Sequence, residues 1–254
     1  MTAQDTVTAA MLAIGDELLS GRTRDKNIGH AAHMLTLSGI DLKEVRIVPD
    51  EEAEIAAAVN ALRSRYTYVL TSGGIGPTHD DITADAVSAA FGLPCIHDAK
   101  ALELLAAMYE RRGMEFTETR KRMARMPQGA EHIPNPVSTA PGFRIGNVYV
   151  MAGVPQVFEA MLDHVLPTLA HGRKMLSVAV TSPYGEGEIG LRLAAIQKAH
   201  PETSIGSYPR FGGNGVFTTE LIVRARDETA LEAAAADVRA MIEAIRQEKE
   251  ASPA

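Results

Sequence analysis

The residues with the clearest chemical potential lie in one glycine-rich segment, residues 71–83 (Thr-Ser-Gly-Gly-Ile-Gly-Pro-Thr-His-Asp-Asp-Ile-Thr). It follows an apolar, β-rich run, and a helix is predicted from about Ile82. Glycines let backbone N–H groups approach a phosphate, and a helix N-terminus favours an anion. The pattern therefore indicates a phosphate-binding loop or, equally, a tight turn with a capped helix. It is neither the dinucleotide fingerprint nor a P-loop, because its spacing is G-G-x-G and no Gly-Lys-Ser/Thr follows.

Two more turns place carboxylates after predicted strands. One is the turn at residues 15–21 (Gly-Asp-Glu-Leu-Leu-Ser-Gly), and the other carries Asp50. Taken singly, such acids usually complement a helix dipole. The carboxyl ends of parallel strands meet at one edge of a sheet, so we predict that the turns of Glu17, Asp50 and Asp81 converge there. With Asp80, these carboxylates would hold a divalent cation against a diphosphate.

The elements that position these turns alternate between strand and helix, which indicates an α/β fold with a mostly parallel, helix-covered sheet. The predicted strands are 7–14, 45–48, 66–71 and 148–152, and the predicted helices are 27–38, one beginning at Asp50, 82–91, 99–112, 117–126 and 155–170. The basic residues of the 117–126 stretch are interpreted mainly as a solvated helical face.

A break at Gly172-Arg173 separates two predicted domains, residues 1–171 and residues 172–254. After it the predicted order is strand 175–181, helix 188–199, strands 204–210 and 216–226, and helix 228–246. This is a small β-α-β-β-α unit with a KH-like G-x-x-G sequence at residues 212–215. We interpret that sequence as a hairpin turn rather than an RNA clamp, because it joins two strands, carries no Lys or Arg and ends in Asn-Gly. A role in subunit contact is favoured for this domain.

Composition excludes several classes of protein. The chain has 254 residues, with 25 Lys+Arg against 32 Asp+Glu, a net charge of −7, which argues against a protein that coats nucleic acid. No apolar run approaches the roughly 20 residues of a membrane helix, and no signal peptide is recognised. The single Cys95 fits a reducing compartment, so a cytoplasmic location is expected.

Two further segments are candidate walls of the pocket. The proline-rich stretch 133–142 contains Asn135 and Ser138 and cannot form a helix or a central strand. It would be a ligand wall or a plain surface connector. Gly153 and Pro155 form another strand-to-helix turn, where Pro155 suits the first helical position.

Together, these motifs resemble the MoaB/Mog-like molybdopterin-binding domain and, more narrowly, its branch in the CinA (competence/damage-inducible protein A) family. The resemblance covers about residues 7–170 and implies a three-layer α/β/α fold. It implies Asp50 and Asp81 as catalytic and metal-binding residues. The ligand-binding residues that it implies, together with the pocket walls, are Gly15, Asp16, Glu17, Ser20, Asn27, Ser72, Gly73, Gly74, Ile75, Gly76, Pro77, Thr78, Asn135, Ser138, Pro141, Gly142, Gly153 and Pro155.

The resemblance also implies an activity: hydrolysis of ADP-ribose to AMP and ribose 5-phosphate with a divalent metal such as Mg, Mn or Co. A nicotinamide-nucleotide amidohydrolase domain is not expected in this sequence. The alternatives are a molybdopterin or nucleotide binder of cofactor biosynthesis, adenylyltransferase-like, and a non-catalytic nucleotide sensor. The expected partners are a small nucleotide or pterin and a second copy of the chain, without nucleic acid or membrane.

Overall fold

The computed structural model describes residues 6–211 and 217–251. The chain divides into two compact units, Met1–Gly172 and Arg173–Ala254. The division lies one residue after the end of the first predicted domain. Each unit has its own hydrophobic core.

The first unit is built on a six-stranded sheet with the order β2-β1-β3-β8-β7-β6. The first four strands in that order run parallel, whereas β7 is antiparallel to both β8 and β6. The strands of this sheet are β1 (Val7–Ile14), β2 (Ile40–Val48), β3 (Tyr68–Ser72), β6 (Glu131–Ile133), β7 (Gly142–Ile145) and β8 (Val148–Met151). A separate antiparallel pair is formed by β4 (Cys95–His97) and β5 (Arg125–Pro127).

Helices cover both faces of this sheet, so the unit has three layers. The helices are α1 (Asp16–Leu19), α2 (Asn27–Leu37), α3 (Glu52–Arg63), α4 (Thr83–Phe91), α5 (Ala99–Arg111), α6 (Glu118–Lys121) and α7 (Pro155–Val165). Consecutive residues of β1 pack into two different hydrophobic cores. Leu12 packs in the core formed with α3, α4 and α5, and Met11 packs in the core formed with α2 and α7. This two-sided burial explains why β1 is an unbroken apolar run. The predicted α/β fold with a mostly parallel sheet is confirmed.

Several predicted elements differ from the structure. The helix predicted over 155–170 ends at Val165 and is followed by a 3-10 turn, Leu166–Thr168. The helix predicted over 117–126 is only α6 and one 3-10 turn, because residues 125–127 pair with β4 instead. The strand predicted over 45–48 begins at Ile40, and it pairs with β1 along its length except at Lys43. None of the helices in the described part of the chain has the length and apolar character needed to cross a bilayer.

The second unit contains a three-stranded antiparallel sheet with the order β10-β11-β9 and two helices. Its elements are β9 (Leu176–Ser182), α8 (Glu186–Ala199), β10 (Ser204–Phe211), β11 (Phe217–Ala225) and α9 (Glu228–Ala251). Their order is the predicted β-α-β-β-α. The hairpin turn predicted at residues 212–215 lies outside the described residues.

Candidate functional site

The predicted convergence of three turns is confirmed by a cavity of about 500 Å³ at the carboxyl ends of the parallel strands. Glu17, Asp50 and Asp81, which come from three different turns, all line it. The other lining residues are Ile14, Gly15, residues 73–77, Asp80, Met123, Asn135, Ser138, Ala140, residues 152–154 and Val157.

The glycine loop has a shape that side chains would prevent. Gly73 has a φ of 114°, and a Cβ there would lie 2.2 Å from the carbonyl oxygen of Ile14 at the end of β1. Gly74 has a φ of 66°, and its Cβ would lie 2.1 Å from the hydroxyl of Thr83. That hydroxyl donates to the Gly73 carbonyl at 3.0 Å. The loop is therefore pressed between β1 and the start of α4, which only glycine permits.

Asp81 organises the far half of this loop. Its Oδ1 accepts the N–H of Gly76 at 2.6 Å, and its Oδ2 accepts the N–H of Thr78 at 2.7 Å and the hydroxyl of the same residue. Arg122 donates from outside to the carbonyl oxygens of Thr78 (3.0 Å) and Asp81 (3.1 Å). Sequence reasoning interpreted Arg122 mainly as part of a solvated face, and no local pattern indicated this contact 41 residues away.

Asp50 lies among other carboxylates. Its Oδ2 accepts the N–H of Asp16 at 3.0 Å, which joins the ends of β1 and β2. Burial, and then the negative charges of Asp16, Glu17 and Asp80, raise the pKa of Asp50, whereas the hydrogen bond from Asp16 lowers it. Uncompensated carboxylates around a cavity are an electrostatic feature of functional sites.

Asn27 joins two strand ends beneath the cavity. Its Nδ2 donates to the hydroxyl of Ser72 at 2.7 Å and to the carbonyl of Gly153 at 2.8 Å. The side chain is buried, and its Oδ1 has no hydrogen-bond partner among the described residues. Asn27 and Ser72, both predicted to bind ligand, therefore support the floor and do not line the cavity.

Asn135 shapes the part of the cavity wall that the proline-rich segment forms. Its Oδ1 accepts the N–H groups of Val137 and Ser138, both at 3.0 Å, and its Nδ2 donates to the Ser138 hydroxyl and to the Ala140 carbonyl. Both Asn135 and Ser138 line the cavity. The proline-rich segment is thus a cavity wall, one of the two interpretations that the sequence left open.

Several predicted residues lie outside the cavity lining. Pro141 lines a second cavity, Gly142 is buried at the start of β7, and Pro155 begins α7. Ser20, Asp16 and Thr78 are exposed, and the latter two donate backbone N–H groups to Asp50 and Asp81. The side chain of His79, in the same glycine-rich segment, is 99% exposed and does not line the cavity.

No group of three or more His, Cys, Asp or Glu side chains within residues 6–211 and 217–251 is arranged to hold a metal by itself. A divalent cation bound there would need one or two of these carboxylates together with oxygens of a substrate. This is the usual coordination of Mg²⁺ beside phosphates. Glu17 and Asp50 line the cavity and fit that requirement, whereas Asp81, predicted as a metal ligand, already uses both of its oxygens to accept N–H groups of the glycine loop.

Comparison with known proteins gives two family matches. Residues 10–171 match the model of the probable molybdopterin binding domain. Residues 174–250 match that of the middle domain of FAD synthase. The chain is also 32% identical to a probable FAD synthase of Caenorhabditis briggsae, over 89% of this chain and 48% of that protein.

A protein of Caldivirga maquilingensis is 40% identical over 63% of this chain, and the match spans less than two thirds (64%) of that relative. Among solved structures, CinA of Thermoplasma acidophilum, a protein described as having unknown function, is 31% identical with a TM-score of 0.59. That match covers 65% of this chain and 98% of the other. The chain therefore belongs to the family of the probable molybdopterin binding domain, as a CinA-like member of MoaB/Mog type.

Proposed function

We propose that the first unit hydrolyses the diphosphate bond of a small nucleotide with the help of a divalent metal, and that ADP-ribose is its substrate. The observation that carries this proposal is the composition of one cavity, in which the glycine loop lies together with Glu17 and Asp50. An anion-binding backbone beside uncompensated carboxylates suits a metal-bridged diphosphate.

The phosphate would be bound by backbone groups. Within the described chain, no protein acceptor is found for the N–H groups of Gly74 and Ile75, and α4 begins a few residues later. Two unpaired N–H groups and a helix N-terminus attract negative charge. In this proposal Asp81 acts as a positioning residue, since its oxygens already accept N–H groups of the same loop.

The attack of water on the diphosphate would take place beside Asp50 and Glu17. A bound divalent cation would offset the charge that develops on the diphosphate and lower the pKa of an attacking water. Asp50, held by the Asp16 N–H, would bind the cation, and Glu17 would accept the proton of the water. Asp50 is therefore the proposed catalytic centre, together with the loop that Asp81 holds.

The test measures AMP release from ADP-ribose with Mg, Mn or Co. Asp50→Asn is expected to lower kcat by about 10²–10³-fold, the scale for loss of one transition-state stabilising group, while calorimetry still detects ADP-ribose binding. The double variant Asp50→Asn/Asp81→Asn is expected to be inactive. Glu51→Gln is the matched control, because Glu51 is an exposed neighbour outside the cavity lining. Unchanged turnover in the double variant would remove this mechanism.

A stability measurement gives an independent readout of the same carboxylate. Because the folded-state pKa of Asp50 is raised, its ionised form opposes folding, and this cost grows as the pH rises through that pKa. Asp50→Asn is therefore expected to raise the Tm at neutral pH, with the gain shrinking as the pH falls. Added Mg²⁺ is expected to raise the Tm of the wild type more than that of the variant.

A second candidate substrate class is supported by the FAD synthase middle-domain match of residues 174–250 and by the identity to a probable FAD synthase over 89% of this chain. FAD, like ADP-ribose, contains an ADP diphosphate, so the same cavity chemistry would apply. Parallel assays with FAD would distinguish the two substrates by the ratio of their kcat/KM values. A pterin that copurifies and fluoresces would instead favour the molybdopterin-binding alternative. Nucleotide binding without turnover in any metal would favour a sensor.

A further inference from the structure

Strand β2 forms an edge of the main sheet in the described structure, and half of one of its faces is uncovered. Ile40 and Leu42 pack in the core beneath α2. Val45 and Ile47 pair with Met11 and Ala13 of β1, on that same face, yet they are 39% and 41% exposed. Helix α2 thus covers the first half of β2 and leaves the second half bare.

An irregularity in β2 produces this arrangement. Ala9 of β1 pairs with Leu42, whereas Ala10 pairs with Glu44, so Lys43 is an extra residue in β2. A bulge of this kind shifts the alternation of side chains. As a result Leu42 and Val45, which are three residues apart, face the same side of the sheet. The opposite face of this stretch carries Glu44 and Arg46.

We propose that a second copy of this chain pairs with β2 in antiparallel register, so that the two sheets join across a two-fold axis at Glu44. In this register Ile40 lies opposite Ile47 of the second copy, and Leu42 lies opposite Val45. Asp41 lies opposite Arg46. The two residues of each pair lie on the same face of the joined sheet. This holds in both copies because the extra residue Lys43 shifts the alternation of side chains by one position.

The complementarity of the edge with itself favours a second copy over a different partner. The pairs join apolar to apolar and acid to base, which are stabilising combinations across strands. Closed two-fold dimers require such a self-complementary patch. Glu44 meets its own copy at the axis, and its charge is already compensated by contacts with Arg46 and Arg65.

The proposed two-fold pairing also covers the exposed apolar side chains of Leu37, Val45 and Ile47. Leu37, the last residue of α2, is 52% exposed and lies just before β2 in the chain. The start of β2 in one copy lies beside Ile47 of the other, so the end of α2 and its Leu37 are brought to the bare half of the neighbouring strand. Sheet edges that expose apolar side chains are usually covered in native proteins, and this dimer would cover the apolar face of β2.

Sedimentation analysis of the full chain tests the interface. The wild type is expected to sediment with the mass of two chains, and Val45→Lys and Ile47→Lys are each expected to weaken association about tenfold or more, as for central interface residues. Circular dichroism reports whether the variants fold. Leu191→Lys is the matched control, since Leu191 is 91% exposed on α8 in the second unit.

Crosslinking tests the register. In a Cys95→Ser background, Glu44→Cys is expected to form a disulfide with its own copy on mild oxidation, because directly opposed residues bring their Cβ atoms to about 4.5–5.5 Å. Glu54→Cys, an exposed position on α3, is expected to stay reduced. A monomeric wild type, a dimer that both lysine variants leave intact, or a dimer that never crosslinks at residue 44 would overturn the proposal.

Discussion

Two of the loops that line the cavity, the glycine loop and the proline-rich loop, are each organised by a single side chain, but with different chemistry. Asp81 accepts from N–H and O–H groups of the glycine loop. Asn135 accepts two backbone N–H groups with its oxygen, while its nitrogen donates to a hydroxyl and a carbonyl. A carboxylate only accepts, whereas an amide does both.

The two loops also differ in the type of residue that adopts a left-handed backbone conformation, with a positive φ. The glycine loop uses Gly73 and Gly74, with φ values of 114° and 66°. The proline-rich loop uses Thr139, with a φ of 71°, the one non-glycine residue with positive φ in the described chain. The first loop thus brings its backbone close to the cavity without strain, and the second holds a strained residue through the hydrogen bonds of Asn135. The comparison contrasts a glycine backbone that lies open to the cavity with a wall that one side chain holds by hydrogen bonds.

The largest expected effect is the destabilisation caused by Asn135→Asp in the proline-rich loop. The new carboxylate would be buried and would face the Ala140 carbonyl that Asn135 now contacts at 2.9 Å. We expect a loss of about 2–4 kcal/mol in the free energy of unfolding, the scale for an unsatisfied buried charge. Urea unfolding measures it, with the exposed Asn60→Asp as control. Equal stability of the two variants would contradict the assigned role of Asn135.

Asp81→Asn is expected to cost less, about 1–2 kcal/mol, because Asp81 is only half-buried. An amide can still accept the Gly76 N–H, but its NH₂ group would face the N–H of Thr78. The loop would then loosen, and the KM for ADP-ribose is expected to rise more than kcat falls. Glu51→Gln, at an exposed carboxylate outside the cavity lining, serves as control in the same assay. A fall in kcat alone would instead indicate that Asp81 touches the reacting atoms.

Thr139→Gly is expected to have the smallest effect and the opposite sign. Glycine removes the strain of a β-branched residue at positive φ but adds flexibility to the unfolded chain, so we expect a gain of about 0.5 kcal/mol. The same change at Thr36, inside α2, is expected to lower stability by about 0.5–1 kcal/mol. Thermal unfolding of the two variants in parallel gives the comparison. Destabilisation by Thr139→Gly would mean that the threonine side chain makes a needed contact.

Some of the site could be predicted because its signals are local. Strand β1 and helix α4 lie within one residue of their predicted bounds, since apolar runs and glycine boundaries mark them. The convergence of Glu17, Asp50 and Asp81 followed from strand order alone. The role of Asn27 did not, because its partners Ser72 and Gly153 lie 45 and 126 residues away.

The sequence by itself determined the alternation of strands and helices, the glycine loop and the acids that follow the strands, because periodicity and backbone preference act over a few residues. Only the tertiary structure decided that Asp81 turns its oxygens toward its own loop, that Arg122 secures that loop from outside, and that the second half of β2 stays bare. These features depend on which distant segments pack together and in which register, and packing of that kind leaves no local pattern.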